Sequence, residues 1–106
     1  MKIIFVGTPE IACETLKVVN QHHEIVAVLT QTDKPRGRSK SPVSSEIAQL
    51  GESLGLTVYK SDKNSDELIT ELKQLKADLF LVFAYGVILK KDFLEIAKCG
   101  GINIHP

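Results

Sequence analysis

Apolar residues occur along this chain in short unbroken runs separated by amphipathic stretches, and the two patterns alternate. Ile3, Ile4, Phe5 and Val6 are consecutive, as in a strand buried on both faces of a parallel sheet. Residues 24–30 (EIVAVLT) and 79–84 (LFLVFA) read the same way, and shorter runs at 56–59 and 102–104 predict two further strands. Between them apolar side chains recur three or four residues apart: Ala12, Leu16 and Val19, then Val43, Ile47, Leu50 and Leu54, then Leu68, Leu72 and Leu75. Each stripe predicts a helix with one face on the sheet, and a weaker helix is predicted over residues 92–98. Local signals sharpen the ends. Thr8 can cap the first helix with Pro9 at its first position, Gly55 ends the second, and Asn64 with Glu67 resembles a capping pair for the third, with Asp66 also in the first turn.

Strand and helix alternating throughout predict an α/β fold, a Rossmann-like doubly wound parallel sheet of about five strands. The chain stops at Pro106, just past the last strand, with no helix to cover that face. The sheet is therefore expected to be truncated after the last strand, and the chain to be a fragment of a longer protein. There are no internal repeats, and residues 32–42 form the only linker-like segment.

Composition narrows the class. With 106 residues, 43% hydrophobic and 25% charged, the chain has room for one core and the make-up of an ordinary globular domain. Thirteen basic and 13 acidic residues give a formal net charge of +0, so attraction to a polyanion must come from a local patch. Cys13 and Cys99 sit in no paired or metal-ligand spacing, which fits a reducing compartment, with the cytoplasm as the expectation. The apolar run at the amino terminus breaks at Gly7, too early for a signal peptide, and no run reaches the length of a membrane span, so no membrane partner is expected.

In an open parallel sheet the ligand crevice lies outside the carboxyl ends of the strands, so the segments after each strand are the candidates. Gly7-Thr8-Pro9 is neither a dinucleotide fingerprint nor a P-loop. Gly7 allows close approach of an anion or carbonyl oxygen at a helix start, and the same residues equally make a tight strand-to-helix turn. After the second strand, Lys34, Arg36, Arg38 and Lys40 alternate with Pro35, Gly37 and Ser39, with no acid before Ser45. Such a loop suits phosphate contacts, and a merely solvated loop is the alternative. Asn103 and His105, two apart on a strand, point to one face. An amide donor and an imidazole there could stabilise an oxyanion and manage a proton, or could be structural. His22 and His23 lie at the opposite edge with no third ligand nearby, so no metal is expected.

Taken in order, Phe5-Val6-Gly7-Thr8-Pro9-Glu10, Thr30-Gln31-Thr32-Asp33-Lys34-Pro35, Gly37-Arg38, Ser41-Pro42-Val43, Ala84-Tyr85-Gly86-Val87-Ile88-Leu89 and Asn103-Ile104-His105-Pro106 resemble the N-terminal part of the catalytic domain of the methionyl-tRNA formyltransferase family, over the whole chain. That family moves the formyl group of 10-formyltetrahydrofolate to the amine of methionine on initiator tRNA. The resemblance implies that Asn103 and His105 are the catalytic pair and that Tyr85, Gly86, Val87, Ile88 and Leu89 form the folate pocket. It also implies that Gly7, Thr8, Lys34, Arg36, Arg38 and Lys40 face the methionyl-tRNA. It implies initiator methionyl-tRNA and folate as partners, no metal, and a monomer at full length. Two departures matter. The family's motif runs on past Pro106 to a catalytic aspartate and a C-terminal tRNA-binding barrel, so this chain alone is expected to be inactive. The basic loop is also a few residues shorter than the family's. A Rossmann-like nucleotide-binding module, a tRNA-binding fragment without catalysis, and a folate-dependent formyltransferase acting on a sugar nucleotide or glycinamide ribonucleotide are the alternatives.

Overall fold

The computed structural model of the chain describes residues 1–35, 38 and 40–104. Strands β1 (Lys2–Gly7), β2 (Glu24–Thr30), β3 (Val58–Lys60), β4 (Leu79–Phe83) and β5 (Gly101–Ile104) form one sheet in the order β3-β2-β1-β4-β5, every neighbouring pair parallel. The chain starts at the centre, steps outward through β2 to β3, then returns to add β4 and β5 on the other side of β1. The strand order therefore reverses between β1 and β4, and the crevice of a doubly wound sheet opens there.

Helices α1 (Cys13–His22), α2 (Glu46–Ser53), α3 (Asp66–Gln74) and α4 (Lys91–Leu94) cover both faces. Successive side chains of β1 alternate between them, as pleating requires. Ile3 and Phe5 pack with Leu16 of α1 and Ile47 of α2, while Ile4 and Val6 pack with Leu68 and Leu72 of α3 and Phe93 of α4. A register shift between Ile3 and Ile4 leaves Val26 of β2 without a partner in the β1 ladder, and Val26 and Ala27 consequently both lie against the α3–α4 cluster. Phe80 of β4 is fully buried, with its ring centroid 5.1 Å from that of Phe93. β4 is buried along its whole length, whereas Gly101, Ile102 and Asn103 of β5 are exposed.

Several local expectations change in the structure. Thr8 caps nothing, because a 3-10 turn (Glu10–Ala12) precedes α1 and Pro9, in extended conformation, flanks that turn instead of entering it. Val43 does not begin the second helix. It pairs with Lys34 in an isolated antiparallel bridge, and Ser45 starts α2 by accepting from the Ala48 N–H at 3.0 Å. The cap of α3 is Ser65, one residue after Asn64, accepting from Leu68 N–H at 3.2 Å. β3 begins two residues later and ends one residue later than the apolar run 56–59, and the expected helix over 92–98 contracts to a single turn, Lys91–Leu94.

Candidate functional site

The carboxyl ends of β1, β2 and β4 meet in a group of small polar side chains. Thr30 and Ser45 are fully buried and Thr8 nearly so. Their hydroxyls lie in sequence: Ser45 Oγ is 2.7 Å from Thr30 Oγ1, which donates to Thr8 Oγ1 at 3.5 Å, which donates to the Tyr85 carbonyl at 2.8 Å. Ser45 Oγ also accepts from the Ala48 N–H, so each of the three hydroxyls has a partner within the molecule. Buried polar groups must be satisfied in some such way. The Thr8 hydroxyl is thus engaged inside the molecule. Gly7 has its own reason to lack a side chain, since a Cβ there would lie 2.7 Å from the Phe83 carbonyl oxygen of β4.

Beyond β4 the backbone turns sharply. Ala84 has φ 54° and Gly86 φ 86°, both in the left-handed region, which an alanine adopts only under constraint. Tyr85 between them is buried, and its hydroxyl donates to the Ser61 carbonyl after β3. Burial, reinforced by the nearby Asp62 carboxylate, pushes the phenol up to about 12, so it stays a neutral donor at physiological pH. Asn64 Nδ2 donates to the Ile88 carbonyl at 2.9 Å. Val87 and Leu89 pack against the core below, while Ile88 is 87% exposed. Two of the three aliphatics expected at a ligand wall therefore also close the core, and the third stands free.

Asn103, exposed on β5, faces this turn. A recess of about 250 Å³ is lined by Tyr85, Gly86 and Ile88 on one side and Asn103 on the other, and an adjoining one of about 310 Å³ reaches past Leu89 to Ile102. The two share Val82, Val87, Ile88 and Asn103. The structure thus brings Asn103 and the 85–89 turn together across open space of the size and apolar character that suits a flat heterocycle. His105, expected beside Asn103, lies outside the described residues.

The basic segment divides. Lys34 Nζ is 2.8 Å from Asp62 Oδ2 and 3.1 Å from Thr32 Oγ1, and Thr32 donates to the same carboxylate through its hydroxyl and its N–H. Lys60 pairs with Asp33 at 2.9 Å. The Lys34 ammonium, with the Thr32 hydroxyl next, holds the Asp62 carboxyl down at about 2. Lys34 is accordingly an internal tie at the base of the loop, while Arg38 and Lys40 are exposed. Arg36 lies outside the described residues. Asp62, Ser61, Asn64, Gln31 and Ser45 are the residues that sequence reasoning missed. Gln31 stands in the Thr30–Pro35 motif, but nothing in its spacing shows what it touches.

A further recess of about 410 Å³ lies between α1 and α2 and holds Cys13 among Glu10, Glu14 and Glu46. Burial first, then the Glu46 carboxylate, pushes that thiol up, which keeps it protonated and a poor nucleophile. Among the described residues, no group of three or more His, Cys, Asp or Glu side chains is placed to hold a metal ion, and no helix is long and apolar enough to cross a membrane.

Comparison with known proteins bears on these features. A family model described as formyl transferase matches residues 1–106. The methionyl-tRNA formyltransferase of Clostridioides difficile (strain 630) is 44% identical over 107 residues, which cover 99% of this chain and 35% of the relative. That of Rickettsia prowazekii (strain Madrid E) is 46% identical over 107 residues, covering 100% and 35%. That of Prochlorococcus marinus (strain MIT 9312) is 44% identical over 108 residues, covering 99% and 33%. The chain spans about a third of the length of the curated relatives it matches.

Proposed function

The chain belongs to the formyl transferase family, and from that premise we propose that it supplies the folate-facing part of a methionyl-tRNA formyltransferase of the cytoplasm. In this reading 10-formyltetrahydrofolate gives its formyl group to the amine of methionine esterified on initiator tRNA, with no metal. The observation that carries it is the placement of Asn103 across an open recess from the 85–89 turn, at the carboxyl ends of β4 and β5, one strand beyond the point where the strand order reverses.

Each part has a chemical task. Backbone groups of Tyr85, Gly86, Val87, Ile88 and Leu89 read the edge of the pterin, with Ile88 and the rim of Val87 and Leu89 giving apolar contact. The amine attacks the formyl carbon, and the carbonyl oxygen gains charge in the tetrahedral intermediate. The Asn103 carboxamide donates to that oxygen, and His105 takes the proton the amine sheds and returns one to the folate nitrogen. Arg38 and Lys40, with Arg36, meet tRNA phosphates, where they add affinity and register but no sequence reading. Gly7 and Thr8 serve the methionyl end by shaping the floor of the crevice.

The test is a titration of 5-formyltetrahydrofolate, a stable folate, into isotopically labelled protein, followed by amide resonances. Shifts are expected in residues 85–89 and 101–104. Shifts confined to the recess between α1 and α2, or none, overturn the reading.

A further inference from the structure

Gln31 follows β2 directly, and its Nε2 donates to the Tyr85 carbonyl at 3.0 Å. The Thr8 hydroxyl donates to the same oxygen at 2.8 Å. Both lone pairs of one carbonyl are engaged by side chains from the ends of β1 and β2, 77 and 54 residues away along the chain. That carbonyl sits between two left-handed residues, Ala84 and Gly86. Gln31 also fits the bare Cα of Gly86, because a Cβ there would lie 2.2 Å from Nε2. The carboxamide is therefore a fitted part of the turn, and neither the core nor the basic loop accounts for it.

We propose that Gln31 is a positioning residue for the ligand-facing turn: by holding the Tyr85 carbonyl together with Thr8, it sets the direction in which residues 86–89 present their backbone N–H and C=O groups. The inference rests on the reading of that turn as the folate wall. A pterin edge carries donors and acceptors in a fixed plane, so a rotated peptide plane offers the wrong group at the wrong angle. Ala84 adds to the need for a holder, since a left-handed alanine relaxes once its surroundings stop over-determining it. Thr8 alone leaves one lone pair of the Tyr85 carbonyl without its donor, and leaves Gly86 free to shift into the space the carboxamide filled.

Two replacements isolate the donor from the volume. Gln31→Met keeps length and bulk and removes the N–H. Gln31→Glu keeps the shape and sets an acceptor against a carbonyl. Amide hydrogen exchange of residues 85–89 and the affinity for 5-formyltetrahydrofolate are measured on wild type and both variants, with thermal melting to confirm folding. The expected result is faster exchange at Gly86 and Val87 and about tenfold weaker folate binding, the loss of one well-placed hydrogen bond, with Gln31→Glu the weaker binder. If Gln31→Met does not fold, Gln31→Glu carries the test. A lowered melting temperature with unchanged turn exchange and unchanged affinity of the folded protein marks a merely structural residue and overturns the proposal. If the turn loosens in the variants while wild type binds no folate, the positioning role stands and the folate reading falls. If wild type binds and the variants bind equally, the positioning role falls and the folate reading stands.

Discussion

The two banks of the proposed site are held in opposite ways. On one, the 85–89 turn is tied by Thr8, Gln31, Ser61 and Asn64, which come from three other parts of the chain. On the other, Asn103 stands exposed on a strand that pairs with β4 and with no other strand among the described residues. The first bank is cross-tied without any ligand, and the proposed reading of a flat ring edge calls for such preorganisation. The second leans on the packing beneath β5, where Phe80 lies opposite Gly101 in the ladder and against Phe93. The proposed function therefore assigns recognition and chemistry to parts of the sheet with different mechanical backing.

The contrast can be broken most forcefully from below. Phe80→Ala removes a fully buried ring, and its cost is expected at about 3–5 kcal/mol. Denaturant unfolding should show this as most of the stability of a small domain, with the resonances of β5 lost before those of β1. Asn103→Ala is the opposite kind of change. At an exposed position it should leave stability within about 0.5 kcal/mol. Formylation should drop about 10²-fold in whatever length of the protein supports it, read as turnover rate at saturating folate. Equal activity would remove Asn103 from the chemistry.

Thr30→Val then probes the cross-tied bank from inside. It keeps the shape and deletes the middle hydroxyl of three, so Ser45 loses its hydroxyl partner and Thr8 keeps only the Gln31 N–H as a donor, at 3.5 Å. A loss of about 1–3 kcal/mol is expected, measured by the same unfolding experiment. The smallest effect concerns Asp62. Its folded value of about 2 lies below the ordinary 3.8, so its contribution is complete above the unfolded value and fades as pH falls from 3.8 through about 2. Asp62→Asn should make the acid limb of the stability profile shallower in that window. The change is modest because both Asp62 and Lys34 are some 40% exposed.

The fold was largely legible because its strands carry their own signal. Runs such as residues 3–6 and 79–83 are too apolar for any surface, and the helical stripes between them leave little choice but a doubly wound sheet. Caps were less legible. Thr8 has the right chemistry for a cap, but its hydroxyl is used by Tyr85, and Val43 extended a helical stripe by coincidence while pairing with Lys34. The site was legible by half. Position after a strand put Asn103 and residues 85–89 among the candidate segments, and the family resemblance supplied the roles proposed for them. The ties of Gln31, Ser45 and Asp62 join residues far apart in the chain, and no spacing in a sequence encodes such a meeting. Charge alone did not separate Lys34 from its neighbours Arg38 and Lys40, although an acid 28 residues away pairs with it.

The order β3-β2-β1-β4-β5 has a kinetic side. The first three strands can pair as the chain emerges, each with its predecessor, but residues 3–7 must wait for residues 79–83 before the sheet has a second half. That contact closes a long loop, and such closures come late because their entropy is lost before any packing returns it. Thr8 and Gln31 lie on one side of the seam and Tyr85 on the other. A partly folded chain therefore has no turn to offer a ligand, and competence to bind arises in the same event that joins the two halves.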